Sequence, residues 1–363
     1  MELKIKTSEL QEMVGKAAKC VSNNKLIPLT SLMSIKVEDN LLTLTTTDAT
    51  NYFYVSKPEK VDCENFEVSV LADLFTKLIQ KTTAEFTTLV LNGAVMQVKG
   101  NGTYTMELPL DENGATIKFP KKIKDEAWKP AGIVKLSTVK NILAVNKASL
   151  ADNMECPVLT CYYCGSKVIT SDRKKICSTA IKMFDEPMII TAALMDLLGV
   201  LTDEDIEVCT AGDSAIYRTE HDVIYAPITE GVETFPVKAI DSLVEQDFSS
   251  VCKISRTALL NVIDRLSLFV VPYDKHGIYL TFNNEGVMLS SKKSSGQELV
   301  PYISSENFTP YTCCIDIEML RSQIVTQDAE DIELYYGSEV AIKMVNKNIT
   351  QIVALLQDDR LEG

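Results

Sequence analysis

Apolar and polar residues alternate along this chain with two periods, and the order in which the periods change recurs three times. A short alternating run carrying a lysine passes into a Ser or Thr and then into apolar residues spaced three and four apart: LKIKTSELQEMVGKAAKCV from Leu3, IVKLSTVKNILAVNKASL from Ile133 and VCKISRTALLNVIDRLSLF from Val251. That change of period predicts a strand leading into an amphipathic helix. The apolar stripes are Leu10, Met13, Val14, Ala17 and Val21, then Val139, Ile142 and Leu143, then Leu259, Val262, Ile263 and Leu266. Thr7 or Ser8, Ser137 and Ser255 stand where a side-chain oxygen can accept a bond from the first helical turn.

A second echo follows in each unit, a strand running into a shorter apolar-faced helix, an acidic turn and a hairpin. The helix positions are Leu71, Leu74, Phe75 and Leu78, then Leu194, Leu197 and Leu198, then Ile317, Leu320 and Ile324. Period-two runs such as Leu42 to Thr45, Ile278 to Phe282 and Val340 to Val345 predict strands with one buried face. Asn92-Gly93, Asn101-Gly102, Asn113-Gly114, Gly212-Asp213 and Asn284-Glu285-Gly286 read as hairpin connections. The chain therefore reads as α+β, three sheet-rich units of roughly 120 residues with two helices each. The expected bounds are 1–125, 126–248 and 249–363.

Bulk properties agree with several cores: 363 residues, 46% of them hydrophobic. No apolar stretch reaches bilayer length, and MELKIKTSELQ lacks the basic-then-apolar order of a signal peptide, so a cytoplasmic protein without a membrane partner is expected. Ten cysteines are scattered through strand-like contexts and read as reduced core thiols. Cys161-Tyr-Tyr-Cys164 has zinc-knuckle spacing, but no second CxxC or His pair follows it. Cys313 and Cys314 point to opposite faces of a strand.

A formal charge of −14 weighs superficially against a nucleic-acid partner. The distribution of charge changes that reading. Lys16 and Lys19 fall on or near the face of the first helix opposite its apolar stripe, with Lys25 in the following loop. Lys77 and Lys81 stand one turn apart, Lys140 and Lys147 two turns apart, and Arg256, Arg265 and Arg321 lie on the helices of the third unit. Acid concentrates in turns such as Thr202 to Asp205 and Gln327 to Asp331. Solvated lysines are ordinary on any one helix; their recurrence suggests a polyanion-facing surface.

Candidate chemistry is absent. Only His221 and His276 are available for His-based triads or metal sites, and no GxxxxGK[ST], GxGxxG or GxSxG run occurs. No catalytic residue, metal or cofactor is expected, and the acidic turns read as solvated loop tips.

The threefold unit, its lysine-bearing first strand and its helix bases together resemble the bacterial β sliding clamp, the processivity subunit of DNA polymerase III. The likeness is most specific from Met1 to Val55, including Lys25 and Pro28 and the strand end Thr45 to Asp48. It implies three tandem processivity-fold domains and a head-to-tail homodimeric ring around double-stranded DNA, contacted without reading base sequence. By position, Tyr104 and Met106 would meet Phe269 and Val270 at the dimer interface. It further implies a pocket for short linear motifs of DNA polymerase and clamp loader, at Val158, Ser171, Arg173, Lys174, Ile176, Pro236, Ile240, Val353, Leu355 and Leu356.

In that pocket the sequence departs from the family. A usual Thr-Asp-Gly-His-Arg-Leu run reads Ser171-Asp172-Arg173-Lys174-Lys175-Ile176. A usual Met-Pro-Met-Arg-Leu ending reads Ala354-Leu355-Leu356-Gln357-Asp358, followed by Asp359 to Gly363. Two other readings are a metal-dependent nucleic-acid-processing enzyme built on the acidic turns, and a clamp-derived repeat protein that does not enclose DNA.

Overall fold

The computed structural model describes residues 1–123, 128–153, 155–270, 276–293 and 295–358. The expected first boundary, at 125/126, and Asp359 to Gly363 lie outside the described residues. In chain order the first third contains β1 (Glu2–Lys6), α1 (Thr7–Ala17), β2 (Leu32–Glu38), β3 (Leu41–Thr47), β4 (Tyr52–Ser56), β5 (Phe66–Leu71), α2 (Ala72–Gln80), β6 (Phe86–Asn92), β7 (Val95–Lys99) and β8 (Thr103–Glu107). The second contains β9 (Lys129–Lys135), α3 (Leu136–Asn146), β10 (Cys161–Cys164), β11 (Val168–Ser171), β12 (Lys175–Thr179), β13 (Met188–Thr191), α4 (Ala192–Leu198), β14 (Asp205–Ala211), β15 (Ser214–Arg218) and β16 (Asp222–Pro227). After α5 (Val237–Val244) come β17 (Ser250–Ser255), α6 (Arg256–Leu266), β18 (Gly277–Phe282), β19 (Gly286–Ser291), β20 (Gln297–Glu306), β21 (Tyr311–Asp316), α7 (Ile317–Val325), β22 (Asp331–Tyr336), β23 (Ala341–Asn346) and β24 (Ile349–Ala354).

One order, strand, helix, four strands, helix, three strands, is thus written three times, with α5 outside it. The repeat extends to helix ends: α1, α3 and α6 are each 11 residues long and each runs on into a three-residue 3-10 turn.

The chain forms two compact units, Met1–Val139 with Ala193–Ile228, and Lys140–Ala192 with Thr229–Gly363. The middle repeat contributes strands to both. In the first unit one sheet runs β1-β6-β7-β8 and another β5-β2-β3-β4-β16-β15-β14-β9. In the second unit a single sheet runs β13-β10-β11-β12-β24-β23-β22-β17-β20-β19-β18-β21. The eighth strand of the middle repeat pairs with the fourth strand of the first (Ile224 opposite Phe53), and the eighth strand of the third with the fourth of the middle (Ile352 opposite Ile176). Sheet hydrogen bonding therefore crosses the repeat boundaries.

Helix stripes bury mostly where the spacing predicted, with Val21 and Leu143 only partly buried and Val145 inward in α3. Leu10, Val14 and Ala17 of α1, Val139 and Ile142 of α3, and Leu259, Val262, Ile263 and Leu266 of α6 are core residues. Each fully buried side chain of this size contributes roughly 1.5–3 kcal/mol relative to exposure. In α2 the inward positions are Ala72, Phe75 and Ile79 instead, and Leu71 and Leu74 stand exposed. Capping differs as well. Of the three expected caps only Ser255 accepts a first-turn N–H, from Ala258 at 3.4 Å. Thr7 Oγ1 lies 2.8 Å from Thr87 Oγ1, and Ser137 Oγ donates to Glu204 Oε1. Asp316, which the periodicity did not single out, caps α7 by accepting from Glu318 N at 2.9 Å and Met319 N at 3.1 Å.

Candidate functional site

The bases on and beside the helices were expected to form one solvated surface, and the structure divides them. Lys16 is mostly buried. Its Nζ lies 3.3 Å from Asp222 Oδ2, 3.0 Å from Thr202 Oγ1 and 3.4 Å from Glu12 Oε1. Asp222 is 1% exposed, and its other oxygen, Oδ1, has no hydrogen-bond partner. Burial pushes the Asp222 carboxyl above its ordinary value, against the opposing pull of Lys16, and Asp203 adds to the rise. Lys16 is thus a buried counter-charge joining α1 to β16, which corrects its expected place on a solvated face.

The arginines of the third repeat are also engaged. Arg256 donates through Nε to Ile324 O at 3.1 Å and through Nη2 to Val325 O at 3.0 Å, closing the carboxyl end of α7. Arg265 makes a forked contact with Glu298, and Arg321 Nε lies 2.7 Å from Asp264 Oδ1. Lys77 pairs with Asp73 at 2.7 Å in the open. Lys19, Lys25, Lys81 and Lys140 are exposed and have no ion pair among the described residues, and Lys147 is exposed.

The acidic turn before β14 has a structural use. Asp205 pairs with Lys135, and Glu204 accepts from Ser137. Among the described residues no group of three His, Cys, Asp or Glu side chains is placed to hold a metal ion. Cys161 and Cys164, three apart in a central strand, point to opposite faces and cannot share a metal. Burial raises the thiols of Cys20, Cys177, Cys252 and Cys313 to about 12, far from the reactive thiolate.

The ten expected pocket residues all lie in the second unit but not on one surface. Val158, Ile176 and Ile240 join one apolar cluster, together with Leu159, Phe235 and Ile352. Ser171 is buried, and its Oγ accepts from Arg173 N at 3.1 Å. Arg173 adopts φ 75° at the tip of the β11–β12 turn, the left-handed position for which the resembling run has glycine. Asp172 Oδ1 holds that turn by accepting from Lys174 N at 2.9 Å and Lys175 N at 2.6 Å. Lys174 O accepts from Ala354 N at 2.8 Å, which ties the turn to the end of β24.

Val353 is wholly buried in the core of the third repeat, so its side chain offers no pocket surface, contrary to expectation. Leu355 and Leu356 line a 560 Å³ groove with Tyr311 to Cys314, Glu339 and Val340. Pro236 instead lines a separate 740 Å³ groove with Tyr163, Pro187 and Phe235.

Of the expected interface residues, Tyr104 and Phe269 are half exposed, Val270 packs against the third-repeat core, and Met106 is buried. Met106 can therefore meet a partner only through its backbone. Leu268, 80% exposed beside Phe269, was not singled out from the sequence, although two positions past Leu266 it falls off the buried stripe of α6.

Residues 1–113 match the family model of the DNA polymerase III beta subunit, N-terminal domain. A beta sliding clamp of Staphylococcus epidermidis is 23% identical over 323 residues, 80% of each chain. The DNA polymerase sliding clamp of Bacillus subtilis superposes with a TM-score of 0.85 at 16% identity, covering 99% of both chains. The beta subunit of DNA polymerase from Streptococcus pyogenes gives 0.86 at 16% identity, over 99% of this chain and 100% of that one. The chain thus has the fold of the β sliding clamps, and its first 113 residues match the N-terminal domain of that family.

Glu204 of the acidic turn before β14 serves the start of α3. The identity to these relatives is low, and α5 is the element least legible beforehand. Its signal was present in Val237, Ile240 and Val244, spaced three and four apart after Pro236. Among the described residues no helix is long and apolar enough to cross a membrane.

Proposed function

We propose that two copies of this chain close head to tail around double-stranded DNA and act in the cytoplasm as a mobile tether for DNA polymerase. One observation carries the closure. Eighth strands pair with fourth strands of the preceding repeat twice within the chain, β16 with β4 and β24 with β12. The strands left over by that rule are β8, an edge strand, and β20, whose residues 297–301 pair with β19 alone. A second copy supplies each with its partner, a heterologous contact that closes by rotation. Tyr104 and the β8 backbone around Met106 would face β20, with Phe269, Val270 and Leu268 beside it.

The three domains of the proposal are 1–125, 126–248 and 249–363, supported by the threefold element order. Lys19, Lys25, Lys81, Lys140 and Lys147 are the bases we assign to phosphate, since weak, sequence-blind contacts permit sliding. Polymerase and clamp-loader motifs would bind along Leu355 and Leu356, in the groove they line with Tyr311 to Cys314, with Arg173 and Lys174 of the turn tied to the end of β24 nearby. Tethering raises the local polymerase concentration without new chemistry.

Retention on DNA tests the reading. Protein loaded on nicked circular plasmid is expected to persist through a high-salt wash that strips phosphate contacts, and to be lost once the plasmid is linearised. Equal loss from circle and line would leave only a repeat protein that does not enclose DNA.

A further inference from the structure

The tail after β24 does not hang free. Leu355 forms an antiparallel bridge with Ile315 of β21, and Leu356 N donates to Cys314 O at 2.8 Å. Leu355 N also donates to Val340 O at 2.9 Å. Tyr279 and Cys314 stand opposite each other in the β18–β21 pair and so share a face of the sheet, the one turned away from core residues Ile278 and Leu280. Cys314 is nonetheless buried there, and Asp358 ends its path over Tyr279.

Asp358 is only 6% exposed and Lys292 only 15%, yet neither is apolar. Asp358 Oδ2 accepts from Lys292 Nζ at 2.9 Å and from the Tyr279 hydroxyl at 2.9 Å. Lys292 follows β19 in a turn held by Ser291 Oγ, which accepts from Ser295 N at 3.0 Å and Gly296 N at 3.2 Å. A carboxylate sheltered from water stays only where charge and hydrogen bonds meet it, and here Tyr279 of β18 and Lys292 of the turn after β19 do so. The same segment, Leu355 to Asp358, forms one wall of the 560 Å³ groove, and Tyr311 to Cys314 form another.

We propose that Lys292 and Tyr279 are positioning residues for client binding: by clasping Asp358 they fix Leu355 and Leu356 as a wall of the peptide groove. The inference rests on the client-peptide reading and adds residues that touch no client. Without the clasp, the wall would lose its side-chain hold on Asp358, and a client would have to order more of it on binding.

The test uses the full chain and a fluorescein-labelled synthetic peptide with two leucines and a phenylalanine as apolar anchors. Fluorescence anisotropy is read beside hydrogen exchange at the Leu355 and Leu356 amides. Lys292→Met is expected to weaken the peptide about tenfold or more, the loss of a charged hydrogen bond converted to affinity, and to speed exchange at both amides. Lys292→Arg should largely restore both. Tyr279→Phe, a change too mild to threaten folding, should weaken the peptide less while moving exchange in the same direction. Lys292→Met combined with Asp358→Asn should be no worse than Lys292→Met alone. If the unaltered protein binds the peptide and Lys292→Met and Tyr279→Phe bind it equally well, the positioning role is overturned while the groove reading stands. If the unaltered protein fails to bind it, the groove reading falls and takes this inference with it.

Discussion

The helix pairs of the first and third repeats occupy the same place in the repeat and are joined differently. In the first, neutral amides stitch α1 to α2: Gln11 Nε2 donates to Ile79 O at 3.0 Å and Thr82 O at 2.9 Å, and Gln80 Nε2 to Gln11 O at 2.8 Å. In the third, arginines do that work, Arg256 on the end of α7 and Arg321 on Asp264. Lysines of the first repeat are thereby left exposed at Lys19, Lys25 and Lys81, whereas the arginines of the third are committed within their own repeat. A count of bases per helix treats the two alike. Among the described residues, a count of uncommitted bases places more exposed positive charge on the helices of the first repeat.

The largest expected effect concerns the one base of α1 that breaks the contrast. Lys16→Met leaves Asp222 buried without its counter-charge and should cost about 3 kcal/mol of stability in chemical denaturation. Loss well below 1 kcal/mol would return Lys16 to the solvated set. The same pair has a pH signature. The folded state holds the Asp222 proton more tightly than the unfolded state does, so the protein should lose stability as pH rises from the ordinary carboxylate range through the raised value. Asp222→Asn should flatten that part of the profile.

Charge reversal sharpens the contrast directly. Changing Lys19, Lys25 and Lys81 to glutamate should weaken DNA binding and flatten the dependence of log affinity on log salt by roughly 0.9 for each phosphate no longer neutralised, with the denaturation midpoint nearly unchanged. Changing Arg256 and Arg321 to methionine should do the reverse, lowering the midpoint and leaving the salt slope in place. Equal effects on the slope would erase the distinction between the repeats.

The smallest effect separates two serines with the same place in the motif. Ser255→Ala removes a helix cap and should cost about 1 kcal/mol, while Ser137→Ala removes only an exposed bond to Glu204 and should cost less. Thermal denaturation of the two variants reads the difference.

Much of this was legible beforehand because it follows from local spacing. The α6 stripe of Leu259, Val262, Ile263 and Leu266 was read and found buried, and the strand–helix starts at Leu3, Ile133 and Val251 became β1–α1, β9–α3 and β17–α6. Val353 and Lys16 were misjudged because each answers to a partner distant in sequence. Val353 lies in a strand shared between repeats, and Lys16 meets a carboxylate 206 positions away.

By itself the sequence determined the threefold order of elements and most of their buried faces, since periodicity acts over three or four residues and needs no knowledge of the partner. Only the tertiary structure decided which bases are free. A lysine beside water and a lysine beside a buried carboxylate have the same neighbours in sequence, and what separates them is the desolvated charge that folding brings alongside. The tail shows the same division: its departure from the family pattern was visible in the sequence, but its run beside β21 and the meeting of Asp358 with Lys292 and Tyr279, which no local pattern could have joined, came only with the fold.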